Sequence, residues 1–381
     1  MIRKINLLRF SILMLPMLAL AATSTNGLAQ GDWKREWEKV SNAAHKEGAV
    51  VVSGPPGAFQ RRAITEAWPK AFPKIKLEYT GGRGTQIVAK VVRERQAGLY
   101  NWDVILASTS PTVFSFAPIN ALAPLRDALI NPELWDDMTW IDGFEAGFMD
   151  DAKKYFYNPM GVAGTTLGYV NRDCLKTDAF NKAADMLKPE IKGKIVWFDP
   201  TRPGTSSRST WVMSVANGEK WLEDVFRKQD VTFSRDFRQM TDWVVSCRKP
   251  IGIGMVNDNL EPMQKEGIGT NVQEIGGRAF FGDVNPGGAG GNESIGWYNS
   301  APHPNAAKVF VNWYLSREFQ QHYADIVNDN SRRVDTKPGD PNPNHAMKPN
   351  VKYLNQSNES ATRKIRELQK AIESWGVLQK K

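Results

Sequence analysis

Four polar loops carry the side chains with the clearest chemistry in this sequence. Each loop follows a stretch with the pattern of a β-strand, and together the loops carry small hydroxyl side chains and glycines: Ser53-Gly54, Gly82 to Thr85, Ser108 to Ser110, and Thr201 to Ser207. Glycine lets backbone N–H groups approach a ligand closely. A helix that begins in such a loop offers an anion its free N–H groups and the positive end of its dipole. The sequence therefore predicts a polar site that favours anions.

Arginine strengthens this prediction, because a guanidinium binds a carboxylate or phosphate through two parallel hydrogen bonds. Arg83 and Arg202 lie within two of the loops, and Arg208 lies just beyond the last one. The ligand residues predicted from the four loops are Ser53, Gly54, Arg83, Gly84, Thr85, Ser108, Thr109, Arg202, Thr205 and Ser206.

A fifth loop, residues 256–259, adds Asn257 and Asp258, which we expect to set specificity, and Tyr298 is a further candidate. Each residue alone has an ordinary structural explanation. Serine and threonine commonly cap helices, glycine serves turns, and Asp258 is a typical turn residue. Their coincidence at successive strand ends favours a binding site.

Catalytic patterns give no comparable signal. The four histidines, His45, His303, His322 and His345, lack the HExxH or HxH spacing of a zinc enzyme. The sequence contains no G-x-S-x-G nucleophile turn, and Gly82-Arg83-Gly84 lacks the lysine and hydroxyl of a P-loop. We therefore expect no enzyme and no cofactor, with a periplasmic enzyme as the alternative of a different class.

The surrounding pattern indicates an α/β architecture. Strand patterns at residues 49–52, 75–79 and 102–106 each lead into a polar loop and a helical pattern, which predicts parallel strands joined by helices. A second unit of this kind has strands at 165–170, 194–198 and 251–256, and a helix from about Ser209. Asp32 is expected to cap the first helix, and Ile365, Leu368, Ile372 and Trp375 mark a last amphipathic helix.

The first 29 residues have the pattern of a secretory signal peptide, with Arg3, Lys4 and Arg9 before an apolar stretch and small residues before Gln30. Export permits a disulfide, so Cys174 and Cys247 could pair, although the sequence leaves that open. The chain has 381 residues and a formal charge of +8, but its lysines and arginines are interspersed with acids. We expect no nucleic-acid partner.

Four stretches, 37–53, 82–105, 191–200 and 301–316, resemble the periplasmic solute-binding proteins of bacterial ABC importers, in the branch that includes the ferric-ion-binding proteins. The resemblance implies a two-lobed α/β fold of the Venus-flytrap kind, with hinge strands and a ligand cleft between the lobes. Lobe 1 is expected at 30–163, completed by 286–345, and lobe 2 at 164–285, followed by an extended segment and helix at 346–381.

The resemblance also implies a function: a periplasmic monomer captures a small solute and delivers it to an ABC permease in the inner membrane. The expected solute is an organic carboxylate, a phosphorus oxyanion or a metal–anion complex. Direct binding of ferric iron is the alternative, with Asp258 and Tyr298 as candidate ligands. Loop 256–259 lacks the two adjacent tyrosines that supply phenolate ligands in ferric-binding relatives.

Overall fold

Two separate β-sheets and a small third sheet organise the chain, and helices cover the two larger sheets. The computed structural model describes residues 26–164, 166–288 and 293–379. The strands are β1 Ala49–Gly54, β2 Lys76–Gly81, β3 Val104–Ala107, β4 Val162–Ala163, β5 Thr166–Asn171, β6 Ile195–Phe198, β7 Thr232–Ser234, β8 Ile251–Ile253, β9 Val272–Gly276, β10 Pro286–Gly288, β11 Ser294–Trp297 and β12 Leu354–Asn355. The α-helices are α1 Asn26–Glu47, α2 Ala58–Ala71, α3 Gly84–Gln96, α4 Thr109–Phe116, α5 Thr205–Asn217, α6 Glu219–Lys228, α7 Phe237–Val245, α8 Leu260–Lys265, α9 Arg278–Phe281, α10 Pro304–Leu315, α11 Arg317–Val327 and α12 Glu359–Ser374.

The first sheet has the strand order β11-β3-β1-β2, with β1 parallel to both neighbours and β11 antiparallel to β3. The apolar run of β1 suits this central place, since a strand covered by helices on both faces needs apolar side chains throughout. Val50 and Val52 are fully buried in one core, while Val51 packs against another. The predicted parallel strands of this unit are confirmed.

The second sheet has the order β7-β6-β8-β5-β9. Strand β6 runs parallel to β7 and β8, and β5 is antiparallel to β8 and β9. The predicted strands at 165–170, 194–198 and 251–256 are present as β5, β6 and β8. The helix expected from about Ser209 begins earlier, at Thr205, and this difference matters for the site because it brings Arg208 into the first turn.

Short strands join the two larger sheets. Strand β10 pairs antiparallel with β4 and parallel with β12. The chain passes from the first sheet to the second through β4 and returns through β10, so this third sheet has the place expected of hinge strands.

The hydrophobic cores divide in the same way. We call the first sheet with α1–α4, α10 and α11 lobe 1, and the second sheet with α5–α9 and α12 lobe 2. The amphipathic pattern correctly predicted α12, whose apolar residues Ala361, Ile365, Leu368 and Ile372 lie in the core of lobe 2. The sequence did not indicate which lobe this helix joins. The lobe boundaries given above stay predictions.

The N-terminal expectations have mixed outcomes. Asp32 does not cap the first helix, because α1 already begins at Asn26. Most of the predicted signal peptide, residues 1–25, lies outside the described residues. In the part that the structure does describe, no helix combines the length and apolar character needed to cross a bilayer.

A disulfide joins Cys174, which follows β5, to Cys247, which follows α7, with 5.9 Å between their Cα atoms. This separation lies within the range that disulfide geometry allows. The bond encloses β6, α5, α6, β7 and α7 in one covalent loop.

Candidate functional site

A cavity of about 540 Å³ lies between the two lobes, which is within the usual range for small-molecule sites. A second cavity of about 240 Å³ adjoins it, because Arg208, Gln356 and Ser357 line both. Three walls surround the larger cavity: the loops after β2 and β3, the loop before α5, and one side of α12.

The wall from lobe 1 depends on the parallel pairing of its strands. Because β1 pairs parallel with both β2 and β3, the loops after β2 and β3 leave the sheet at the same edge. A Cβ at Gly84 would lie 3.4 Å from Pro111 and 3.5 Å from the Ser108 hydroxyl, so the two loops are in close contact. Ser108 precedes α4 without capping it, and its hydroxyl has no partner among the described residues. That hydroxyl is available to a ligand.

The wall from lobe 2 is held in place by Asp199, directly after β6. Its carboxylate accepts hydrogen bonds from the Thr201 hydroxyl at 2.6 Å and from the Arg235 Nε at 2.8 Å. Burial alone would raise the pKa of Asp199, but these bonds outweigh it and hold the pKa below its ordinary value. The anchored loop positions the first turn of α5 against the cavity.

Arg208 lies in that first turn and lines both cavities. Its guanidinium forms no hydrogen bond or ion pair with any described residue, and burial lowers its pKa. Arginine nevertheless keeps its charge in proteins. A partly desolvated cation without a counter-charge is costly, and an anion in the cavity would offset that cost.

The third wall is α12, which contributes Thr362, Ile365, Arg366 and Gln369. The Arg366 guanidinium donates to the Ser110 hydroxyl of lobe 1 at 3.1 Å, while the Gln369 amide donates to the Pro200 carbonyl of lobe 2 at 3.2 Å. The helix thus contacts loops of both lobes at the cavity.

The electrostatic character of the site is positive. Among the described residues that line the two cavities, Arg208 and Arg366 are cations and none is an aspartate or a glutamate. The starts of α3, α4 and α5 add partial positive charge at the same place. The arrangement suits an anion held by two guanidinium groups, hydroxyls and backbone N–H groups.

The structure brings five of the predicted ligand residues to these cavities. Gly84, Thr85, Ser108 and Thr109 line the larger one, and Thr205 lines the smaller one. They come from both lobes, as the cleft prediction requires.

Several predicted residues are instead part of the structural core. Ser53 and Tyr298 are buried and Tyr298 belongs to a hydrophobic cluster of lobe 1, so neither reaches the cleft. Burial raises the pKa of the Tyr298 phenol. Neither the Tyr298 hydroxyl nor the Ser53 hydroxyl has a hydrogen-bond partner among the described residues. Gly54 is buried against the Tyr79 ring, and the Ser206 hydroxyl donates to the Phe198 carbonyl at 2.7 Å.

The remaining predicted residues are exposed and do not line the cavities. Arg83 precedes α3, and Arg202 points to Asp199, with 3.9 Å between Nε and the carboxylate. Asn257 and Asp258 lie on the loop that leads into α8. The expectation that Arg83, Arg202, Asn257 and Asp258 surround the ligand is therefore not supported by their positions.

The two candidate ligands for direct iron binding do not lie together either, because Asp258 is exposed on lobe 2 while Tyr298 is buried in lobe 1. Within the described residues, no group of three or more histidine, cysteine, aspartate or glutamate side chains is placed to hold a metal ion.

Sequence reasoning missed the most distinctive residues of the site. In the sequence Arg208 is only a neighbour of the last loop, because the pattern predicts that the helix begins after it. A helix start at Thr205 would have placed Arg208 on the first turn, beside the loop. For Arg366, Gln356 and Ser357 the sequence offers no signal, since polar residues on an amphipathic helix and in a connecting segment are ordinary.

Comparisons with known proteins identify the family of this chain. The family model for bacterial extracellular solute-binding proteins matches residues 54–321. None of the curated proteins matches the sequence significantly.

Solved structures of binding proteins share the fold. Iron-bound HitA from Pseudomonas aeruginosa is 15% identical with a TM-score of 0.56, covering 87% of this chain and 99% of HitA. The Trichodesmium protein IdiA (FutA), in complex with iron and citrate, is 14% identical with a TM-score of 0.62, covering 86% and 99%. An ABC transporter protein of Clostridium perfringens has the same values. At these identities the similarity shows the two-lobed fold alone.

Proposed function

Because this chain belongs to the bacterial extracellular solute-binding proteins, we propose that it captures a small anionic solute between its lobes for an ABC importer. The observation that carries the proposal is Arg208, whose guanidinium lines the cleft and has no counter-charge among the described residues. The lobes would close on the solute, because only contacts with both lobes favour the closed form. The closed form would then dock on a permease in the inner membrane, which places the receptor in the periplasm.

A thermal-shift screen tests the proposal. The panel contains organic carboxylates, phosphorus oxyanions, ferric citrate and Fe³⁺ alone, with neutral sugars and cationic amines as controls. At 100 times its dissociation constant a ligand stabilises the folded chain by about 2.7 kcal/mol, so an anion that binds in the cleft should raise the melting temperature clearly. Stabilisation by neutral or cationic solutes alone would contradict the proposal.

Two further measurements distinguish the proposed anion receptor from a protein that binds iron directly and from an enzyme. If the protein bound iron directly through phenolate, Fe³⁺ alone would produce a charge-transfer absorption band; we expect none, because the Tyr298 phenol is buried in lobe 1. A receptor returns its solute chemically intact after denaturation, whereas an enzyme would convert it. We expect the intact solute.

A further inference from the structure

Helix α12 belongs to lobe 2 through its apolar face. Ala361, Ile365, Leu368 and Ile372 lie in the core of that lobe. Just beyond the helix, the Trp375 ring packs edge-on against Phe226 at 6.1 Å between centroids. When the lobes separate, α12 should therefore move with lobe 2.

The polar side of α12 contacts lobe 1. The Ser360 hydroxyl donates to the Asp151 carboxylate at 2.7 Å, and the Glu359 carboxylate accepts from the Asp151 backbone N–H at 3.0 Å. Two guanidinium groups, those of Arg363 and Arg366, stack over the Phe114 ring at 4.8 and 4.2 Å. These contacts are polar and near the surface, so hinge motion can break and remake them.

Arg363 and Arg366 differ in what else they contact. Arg363 forms an ion pair with Glu359 on its own helix and does not line the cleft. Arg366 has no carboxylate partner among the described residues, and it lines the same cavity as Arg208. Its hydrogen bond to Ser110 uses only part of a group that carries five N–H donors.

We propose that Arg366 is a second cationic ligand of the solute, and that the solute of this receptor is a dianion. This inference rests on the proposed function. Arg208 comes from the start of α5 and Arg366 from α12, so two guanidinium groups from different walls face one cavity that no described acidic residue lines. A monoanion would neutralise only one of them. A phosphate monoester, a phosphonate or a dicarboxylate supplies both charges, and each good pair adds charge-assisted hydrogen bonds.

The proposal also connects occupancy with closure. Arg366 reaches Ser110 only while α12 lies against lobe 1. Arg208 and Arg366 both belong to lobe 2, so a dianion can pair with both in either arrangement. Closure adds its contacts with the loops after β2 and β3 of lobe 1, and these contacts shift the lobes towards the closed form.

Isothermal titration with matched ligand pairs tests the inference. One pair is glycerol 3-phosphate and its methyl diester, and the other is succinate and its monomethyl ester, so that within each pair the ligands differ by one charge. The titrations are run at pH 8, because the second pKa of a phosphate monoester is about 6. We expect the wild-type protein to bind at least one dianion at least 10-fold more tightly than its matched monoanion. For the phosphate monoester this preference should shrink as the pH falls through the second pKa of about 6 and should be nearly lost about one unit below it.

Arg366→Ala should lower dianion affinity at least 10-fold and monoanion affinity less than 3-fold. Arg363→Ala is the control, because it removes a guanidinium from the same helix and the same Phe114 ring but not from the cavity, and it should change both affinities less than 3-fold. Equal effects of the two substitutions, or the absence of a dianion preference in the wild-type protein, would overturn the inference. If Arg208→Ala abolishes binding while Arg366→Ala does not alter it, the proposed function as an anion receptor is supported, and the role of Arg366 as a second ligand is wrong. If no anion binds, the proposed function and the role of Arg366 are both wrong.

Discussion

Arg208→Ala is expected to weaken binding of the captured anion by about 30-fold to about 5,000-fold. Removing one partner of a buried charge pair costs about 2–5 kcal/mol, and every 1.4 kcal/mol is a factor of ten in affinity. The guanidinium has no other partner among the described residues. Because the unpaired cation is costly in the unliganded protein, its removal should leave that form at least as stable as the wild type. Isothermal titration measures the affinity, and thermal unfolding without ligand measures the stability.

The neighbouring Arg202 provides the matched control. It is exposed, points to Asp199 and does not line the cavity, so Arg202→Ala should change affinity less than 3-fold. Arg208→Lys should retain part of the affinity, since lysine keeps the charge but loses the two parallel hydrogen bonds. If Arg202→Ala weakens binding as much as Arg208→Ala does, the anion is bound outside the cavity that Arg208 lines.

Removing the disulfide has the second large expected effect. The double substitution Cys174→Ser and Cys247→Ser opens a covalent loop between residues 73 apart in sequence. In the chain-entropy account, the loss of a cross-link over a loop of this length destabilises a protein by about 4 kcal/mol. The enclosed segment contains α5 and therefore Arg208. We expect a lower midpoint of urea unfolding, and weaker solute binding at urea concentrations where lobe 2 begins to unfold.

A reductant supplies the internal control for this experiment. Reduction should shift the wild-type midpoint to that of the double variant and leave the variant unchanged. An identical wild-type midpoint with and without reductant would show that the cross-link does not stabilise the fold.

The strand-end rule explains which of the predicted site residues lie at the cavity and which do not. The loops after β2 and β3 were expected at one edge of a parallel sheet, and Gly84, Thr85, Ser108 and Thr109 are there. Ser53 also lies near a strand end, but it does not line the cavity. Successive residues of a strand point to opposite faces, and Ser53 points to the same face as Val51, towards the cluster that contains Tyr298.

The two arginines of the cavity, Arg208 and Arg366, could not be assigned to the site from the sequence for a different reason. The position of Arg208 at the cavity depends on where α5 begins, and the ends of a helix are the least certain part of any sequence pattern. The position of Arg366 at the cavity depends on where α12 packs. An amphipathic pattern shows that a helix has an apolar face, but it does not show which apolar surface covers that face.

The sequence by itself determined the α/β strands with their polar loops, the last amphipathic helix and the family of solute-binding proteins, because each depends on local periodicity or on residues close together in the chain. Only the tertiary structure decided that Arg208 and Arg366 share one cavity while Arg83, Arg202, Asn257 and Tyr298 do not line it. The physical reason is that a cleft between lobes is formed by packing between distant segments, and that packing sets which side chains face the ligand.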